Sequence, residues 1–350
     1  MPKLDVAVVI VTYRSAQLTV ACLHSIQAER GTSGLAIRAV VVDNASGDLP
    51  ILQEAVRAHD WGEWVSLVLA QRNGGFAYGN NLGIEHSYRE HPPAYIYLLN
   101  PDTELRPGAI GSLVRFLEEH PEVGIAGSGF ERPDGSEWPI AFRFPTLLSE
   151  LDGGLKFGLA SRILHRWTVA REMSASAAPV DWISGASMMI RPAVLEAIGG
   201  LDENYFLYFE ETDFCRRARQ AGFSTWYVPE SRVMHIVGQS TSVSDRATRL
   251  PAYWFESRRR YFAAAFGTRR AMLIDVVAVI AHALGACKRV ALGRVGTGVP
   301  YFLRDLLRHS VLRRRNRELP PARCSLPSVQ PAARLGRART ESPTLRSALS

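Results

Sequence analysis

The chain has 350 residues, 47% of them hydrophobic and 21% charged, which is material for about two domains with a sizeable core. This excludes a wholly disordered chain, a collagen-like repeat and a small disulfide scaffold. The formal net charge of +7 is unevenly placed: Lys288–Ser350 carries +11 and the first 287 residues carry −4, so a basic nucleic-acid-binding body is excluded. In chain order, Met1–Asp5 leads directly into the apolar run Val6–Val11, too short for a signal-peptide core, so a cytoplasmic start is expected. Val6–Val11 predicts a buried strand, Gln17–Ala28 a helix, Ile37–Val42 a strand, Ile51–His59 a helix and Val65–Leu69 a strand. Tyr78–Ser87 then predicts a helix and Tyr95–Leu99 a fourth strand. Near-continuous apolar strands alternating with helices imply an α/β fold with a mostly parallel central sheet.

Further along, Pro107–Glu119 reads as a helix, Val123–Gly129 as a strand and Glu131–Pro179 as irregular chain. Val180–Ile190 returns to a strand pattern, Pro192–Ala197 and Thr212–Gln220 to helices, and Ser231–Met234 to a strand. Past Tyr253 the pattern is helical, and from about Glu318 it is Pro/Arg/Ser/Ala-rich without periodicity, as expected of a disordered basic tail over 318–350. Cys22, Cys215, Cys287 and Cys324 form no CxxC pair and read as free thiols in a reducing compartment.

Ligands of parallel sheets bind at the carboxyl ends of the strands. The four predicted strands end in polar loops: Thr12-Tyr13-Arg14-Ser15, Asp43-Asn44-Ala45-Ser46, Asn73–Asn81 and Asn100-Pro101-Asp102-Thr103. Gly74, Gly75 and Gly79 in the third loop permit close approach to a ligand at a helix N-terminus, or serve a flexible connector. The acidic cluster Glu210-Glu211-Thr212-Asp213 follows the aromatic run Tyr205–Phe209, and adjacent carboxylates raise one another's pKa toward that of a useful base. It equally suits a helix N-terminus.

The series VVIVTYRS, VVDNASGD, NGGFAYGNN, LLNPDTEL, WISGASMMIRPAVLEAIGGLDENYFLYFEETDFCRRARQAGF and MHIVGQS, over roughly Val6–Ser242, resembles the family 2 glycosyltransferases and is most similar to their rhamnosyltransferase-like branch. The resemblance implies a GT-A fold and inverting transfer of a sugar from a nucleotide diphosphate to an acceptor hydroxyl. It divides residues 1–265 into a nucleotide-binding half (1–104) and an acceptor half (105–265). It places Thr12, Tyr13, Arg14, Asp43, Asn73, Gly74, Gly75, Asn80, Asn100 and Asp102 at the donor. Asp43 would accept the N3–H of uracil or thymine, or else form a local Asp-Asn turn. Asn100-Pro101-Asp102 occupies the position of a DxD motif, leaving Asp102 as the anionic ligand of Mg²⁺ or Mn²⁺. His235 is a second metal ligand or a structural histidine.

The same resemblance makes Glu211 the general base with Glu210 beside it. Trp182, Gly185, Ala186 and Asp213 fall in the acceptor and sugar site, with Trp182 either a sugar platform or core. The implied donor is dTDP-L-rhamnose, with another UDP- or dTDP-sugar (hexosyl or galactofuranosyl) as the alternative. The implied acceptor is a lipid-linked bacterial surface glycan of cell-wall or polysaccharide biosynthesis. A nucleotidyltransferase or a degenerate donor-binding module are the rival readings.

Ala271–Cys287 is shorter than the about twenty residues of a spanning helix, and its mid-span Asp275 would cost roughly 2.5–3.5 kcal/mol in a bilayer. Asp275, His282 and Arg289 recur as a polar stripe, opposite Leu273, Val277, Ile280 and Leu284. Tyr301–Arg315 repeats the pattern. Residues 266–317 therefore read as amphipathic basic helices that lie on the inner membrane face, or else pack on the body or form a homodimer.

Overall fold

The computed structural model describes residues 5–155, 158–236, 249–293 and 299–312. Met1–Leu4, the Gly238-Gln239-Ser240 end of the last motif, Arg313–Arg315 and the basic tail lie outside the described residues. The first half alternates strand and helix: β1 (Asp5–Thr12), α1 (Ala16–Thr32), β2 (Ala36–Asp43), α2 (Leu49–Ala58), β3 (Val65–Leu69), α3 (Gly75–Glu90) and β4 (Tyr95–Leu99). β5 (Thr103–Leu105), α4 (Ala109–Glu119), β6 (Val123–Glu131), β7 (Glu137–Trp138), β8 (Ala141–Phe142), α5 (Leu147–Leu155) and α6 (Gly158–Leu164) follow. Then come β9 (Ala178–Val180), β10 (Trp182–Ile183), β11 (Ser187–Ile190), α7 (Pro192–Ile198), α8 (Glu210–Gln220) and β12 (Ser224–His235). The chain closes with α9 (Ala252–Phe266), α10 (Thr268–Ala291) and α11 (Phe302–Leu306).

The main sheet runs β3-β2-β1-β4-β11-β6-β12-β5, with β7 on β6 and β9 on β12. β3, β2, β1 and β4 are mutually parallel, and β12 is parallel to β6. β11 is inserted antiparallel between β4 and β6. Helices cover both faces, which is why β1 and β4 are apolar without alternation. Val6, Val8 and Ile10 face the α1 and α4 side, while Ala7 and Val9 face the α3, α7 and α8 side. After β1 the chain steps to β2 on one side and returns through α3 to β4 on the other. The carboxyl ends of β1 and β4 therefore flank the switch point where such sheets bind ligands.

Three expectations change. The segment read as irregular, Glu131–Pro179, contains β7, β8, α5 and α6, elements mostly too short for a periodic signal. The single strand expected over Val180–Ile190 is three: β9 pairs with β12, β10 with β8, and β11 with β4 and β6. The Asp181 carboxylate marks the first break by accepting the Phe144 N–H at 2.9 Å and Arg219 at 2.8 Å. The polar stripe of the C-terminal helix faces the body, not water. Arg258 of α9 is fully buried between Asp275 of α10 and Glu150 of α5, each at 2.6 Å. α5 and α10 meet where a Cβ on Gly285 would stand 2.2 Å from the Gly154 carbonyl. By length and composition α10 could cross a membrane, and one third of its most apolar 18-residue stretch is buried in the protein.

Arg258→Ala would remove the cation shared by the buried Asp275 and the half-buried Glu150. It is expected to lower stability by about 3–5 kcal/mol, read as a lower denaturant midpoint at unchanged slope.

Candidate active site

At the end of β1, Thr12 is buried and its hydroxyl donates to Asp48 at 3.1 Å. Tyr13 is half-buried, with the exposed Arg14 guanidinium 5.3 Å from its ring centre. Asp43, at the end of β2, is fully buried. Its Oδ1 accepts the Ser46 N–H (2.8 Å) and hydroxyl (2.7 Å), and its Oδ2 accepts the Leu49 N–H (3.0 Å). The local-turn geometry is thus present, and of about four lone-pair sites on a carboxylate one is left over for a base.

Asn44 was not singled out in the sequence, yet it holds the third loop in place. Its Nδ2 donates to Asn73 Oδ1 and to the Gly75 carbonyl, both at 3.1 Å, and its Oδ1 accepts the Gly74 N–H at 3.3 Å. Asn80 donates to the Phe76 carbonyl one turn back. Asn81 bridges instead to the distant Leu201 main chain, donating to its carbonyl (2.8 Å) and accepting its N–H (2.9 Å). Gly75 departs from the expectation of close approach to a ligand. It has φ +85°, and a Cβ there would lie 1.9 Å from the Phe206 carbonyl oxygen, which accepts the Phe76 N–H at 2.9 Å. The glycine makes room for the 205–209 loop. Gly75→Ala is expected to push that loop off α3 and to lower both stability and turnover, checked by thermal unfolding alongside a transfer assay.

Asp102 follows β4 and is 2% exposed. The register of β12 against β5 sets His235 opposite Thr103, and His235 Nε2 lies 3.2 Å from Asp102 Oδ1. The Ile236 N–H donates to the Asp102 carbonyl at 3.0 Å, fixing the pair through the main chain as well. Among the described residues no group of three or more His, Cys, Asp or Glu side chains converges on one point. One buried carboxylate beside one imidazole fits a divalent ion that takes its other ligands from substrate phosphates and water. Asn100 is half-buried, and its N–H donates to the Ala186 carbonyl at 3.0 Å.

That hydrogen bond joins the two halves of the site. Asp102 stands two residues beyond Asn100, and Gly185 precedes Ala186. A Cβ on Gly185 would meet Phe76 at 3.0 Å and the Glu211 Cβ at 3.7 Å. The loop that carries Asp102 is thus bonded to the strand start at Ala186, and the Glu211 Cβ lies beside the preceding Gly185.

Glu210 and Glu211 open α8 directly after Tyr208 and Phe209, two non-glycine residues at φ +71° and +69°. Such left-handed residues cost of order 1–3 kcal/mol each and persist only where the surroundings hold them. Here Tyr208 stacks near Tyr253 and Phe209 packs against Trp254 and Tyr261. Each glutamate keeps one carboxylate oxygen sealed from solvent without a hydrogen-bond partner. Burial pushes the Glu211 carboxyl up to about 7, against main-chain amides including that of Gly185 that pull it down. Burial, then the charge of Glu211, pushes Glu210 well above the carboxylate range. Both carboxyls are thus raised by burial, and ionisation of one opposes ionisation of the other.

Two residues expected at the sugar are engaged elsewhere. Asp213 gives one oxygen to Arg216 (2.7 Å) and the other to Arg217 (2.8 Å), and Arg217 also binds the Ile198 and Gly200 carbonyls. It ties α8 to the turn after α7. Trp182 has one ring face stacked on Phe142, centres 4.2 Å apart, and its indole N–H donates to the Arg143 carbonyl.

The mostly parallel sheet with β11 inserted antiparallel and helices on both faces, with a buried Asp–His pair beyond β4, is a GT-A fold. Residues 2–263 match the family described as Glycosyltransferase like family 2, and the chain belongs to that family. It is 33% identical over 163 residues to an N-acetylglucosaminyl-diphospho-decaprenol L-rhamnosyltransferase of Mycobacterium tuberculosis, covering 45% of this chain and 52% of that protein. It is 30% identical over 226 residues to the low-salt glycan biosynthesis hexosyltransferase Agl10 of Haloferax volcanii, covering 62% of each. The chain thus spans between half and two thirds of the length of these curated relatives. Among solved structures it resembles the mannosyltransferase PcManGT of Pyrobaculum calidifontis in complex with GDP-Man and Mn²⁺. That likeness has a TM-score of 0.53 at 16% identity, over 85% of this chain and 77% of that one.

Proposed function

We propose that the protein is an inverting, divalent-metal-dependent hexosyltransferase that moves L-rhamnose from dTDP-L-rhamnose to a hydroxyl of a lipid-linked cell-surface glycan. The observation that supports this reading is the Asn100–Ala186 hydrogen bond, which links the loop bearing Asp102 to the strand whose preceding Gly185 lies beside Glu211. Asp102 and His235 would hold Mg²⁺ or Mn²⁺, whose chemistry is neutralisation of charge on the donor diphosphate. Thr12, Tyr13 and the spare lone pair of Asp43 line the base subsite, and Asn73 and Gly74 with Asn80 border the phosphates. Glu211 takes the proton of the acceptor hydroxyl as that oxygen bonds to the anomeric carbon from the face opposite the diphosphate. Glu210 beside it raises the proton affinity of the pair, so that one carboxylate of the two serves as base.

The division into a nucleotide-binding half (1–104), an acceptor half (105–265) and a C-terminal membrane-associating part (266–317) follows from this reading. So does a place on the cytoplasmic face of the membrane. Rhamnose rests on the named activity of the mycobacterial relative, and a UDP-hexose donor is the second reading, favoured by the hexosyltransferase from Haloferax volcanii. A panel of nucleotide-sugars with Mn²⁺ separates them by nucleoside diphosphate release. dTDP-rhamnose is expected to be hydrolysed, and turnover of a UDP-hexose with dTDP-rhamnose inert would overturn the donor assignment.

A further inference from the structure

With its polar stripe turned inward, α10 presents an apolar one outward. Leu273, Val276, Ile280 and Leu284 recur at helical spacing and are 54%, 40%, 54% and 52% exposed. Beside the C-terminal end of this stripe opens a cavity of about 670 Å³, within the range of sites that enclose a small ligand. Trp254, Leu292 and Phe302 contribute apolar wall, Lys288, Arg289 and Arg304 contribute positive charge, and the one carboxylate among the described wall residues, Glu150, is paired with Arg258. An aromatic contact links the cavity wall to the start of α8. Trp254 packs edge-on against Phe209, ring centres 5.8 Å apart, and Phe209 immediately precedes Glu210 and Glu211. On its other side Trp254 meets Phe302 at 5.9 Å. One aromatic layer separates the cationic cavity from the start of the helix that carries the acid pair.

We propose that this cavity takes the phosphate or diphosphate linker of the acceptor, whose lipid chain then runs along the exposed stripe of α10. The proposal rests on the glycosyltransferase reading and deepens it by naming how the acceptor is held. Each part of such an amphiphile meets a matching surface: apolar chain on the outward stripe, anionic linker among three cations, and sugar hydroxyl toward Glu211. A bilayer phospholipid would answer to the stripe and the charge, and its vesicles are therefore the competitor in the test. A second copy of this chain would have to bring an anionic surface to the same three cations.

The test uses the full chain and farnesyl diphosphate as a soluble probe, titrated by calorimetry against farnesol and inorganic diphosphate. Farnesyl diphosphate is expected to bind at least tenfold more tightly than either fragment. The double variant Arg289→Glu/Arg304→Glu is expected to lose at least tenfold, and Arg289→Gln/Arg304→Gln to lose affinity at an unchanged thermal unfolding midpoint. Equal affinity in the wild type and the Gln variant would overturn the proposal. So would complete displacement of the probe by phosphatidylglycerol vesicles, which would make the cavity a general bilayer contact, or probe binding that tracks dimer formation. Donor hydrolysis by the wild-type protein is a separate assay, so failure of the glycosyltransferase reading is told apart from failure of this one.

Discussion

Glu211→Gln is expected to slow sugar transfer by about 10²–10⁴-fold, the usual contribution of a positioned general base, while leaving nucleotide-sugar affinity unchanged. The amide keeps the shape of the side chain at Gly185 and removes only its capacity to take a proton. Because burial raises the Glu211 carboxyl to about 7, the wild-type rate should climb about tenfold per pH unit below 7 and level off above it. In the Gln variant that limb should vanish. The same raised pKa has a consequence for stability. The native state holds this proton to higher pH than the unfolded chain, whose glutamates titrate near ~4.3. Stability from this group is therefore full below the unfolded value and is lost as the pH rises through about 7. Glu211→Gln should flatten that decline, measured as denaturant midpoints at pH 5 and pH 8. Retained turnover in the variant would remove Glu211 as the base.

Asp102→Ala is expected to cut donor turnover by about 10²–10³-fold, corresponding to the several kcal/mol that a metal-bound phosphate gains in the transition state. The loss should appear as a rise in the Mn²⁺ concentration needed for half-maximal rate, because His235 alone would be left to the ion. Asp102→Asn should fall between, since a neutral oxygen keeps the donor geometry without the charge. A titration of rate against Mn²⁺ for the three proteins checks the order. An unchanged Mn²⁺ requirement in Asp102→Ala would move the ion elsewhere.

The first half of the fold was legible because β1 to β4 are buried on both faces and read as continuous apolar runs between polar loops. β5 has three residues and β7, β8 and β10 two each. Such pieces exist only through their partners, so no local pattern announces them. The same limit split Val180–Ile190, whose three parts bond to different strands.

In the site, the family resemblance singled out Asp102, His235 and Glu211, since carboxylates and imidazole are the groups its chemistry needs. What sequence could not give was the partner of each side chain. Gly75 looked like a glycine for a ligand, but its space is taken by the Phe206 carbonyl from 131 residues away. Asp213 looked like part of the acidic cluster, but Arg216 and Arg217 occupy both its oxygens. Periodicity revealed two faces on α10 but not which one meets the body. That choice is made by Arg258, which draws Glu150 and Asp275 together from separate segments.

The most direct test of one cleft shared by Asp102 and Glu211 is an anomalous diffraction map of crystals soaked with dTDP and Mn²⁺. The expected result is a single manganese peak bonded to the Asp102 carboxylate and the nucleotide diphosphate, with the Glu211 carboxylate across the same cleft. Manganese and nucleotide bound together at any place remote from Asp102, or a diphosphate with protein packed between it and Glu211, would contradict it.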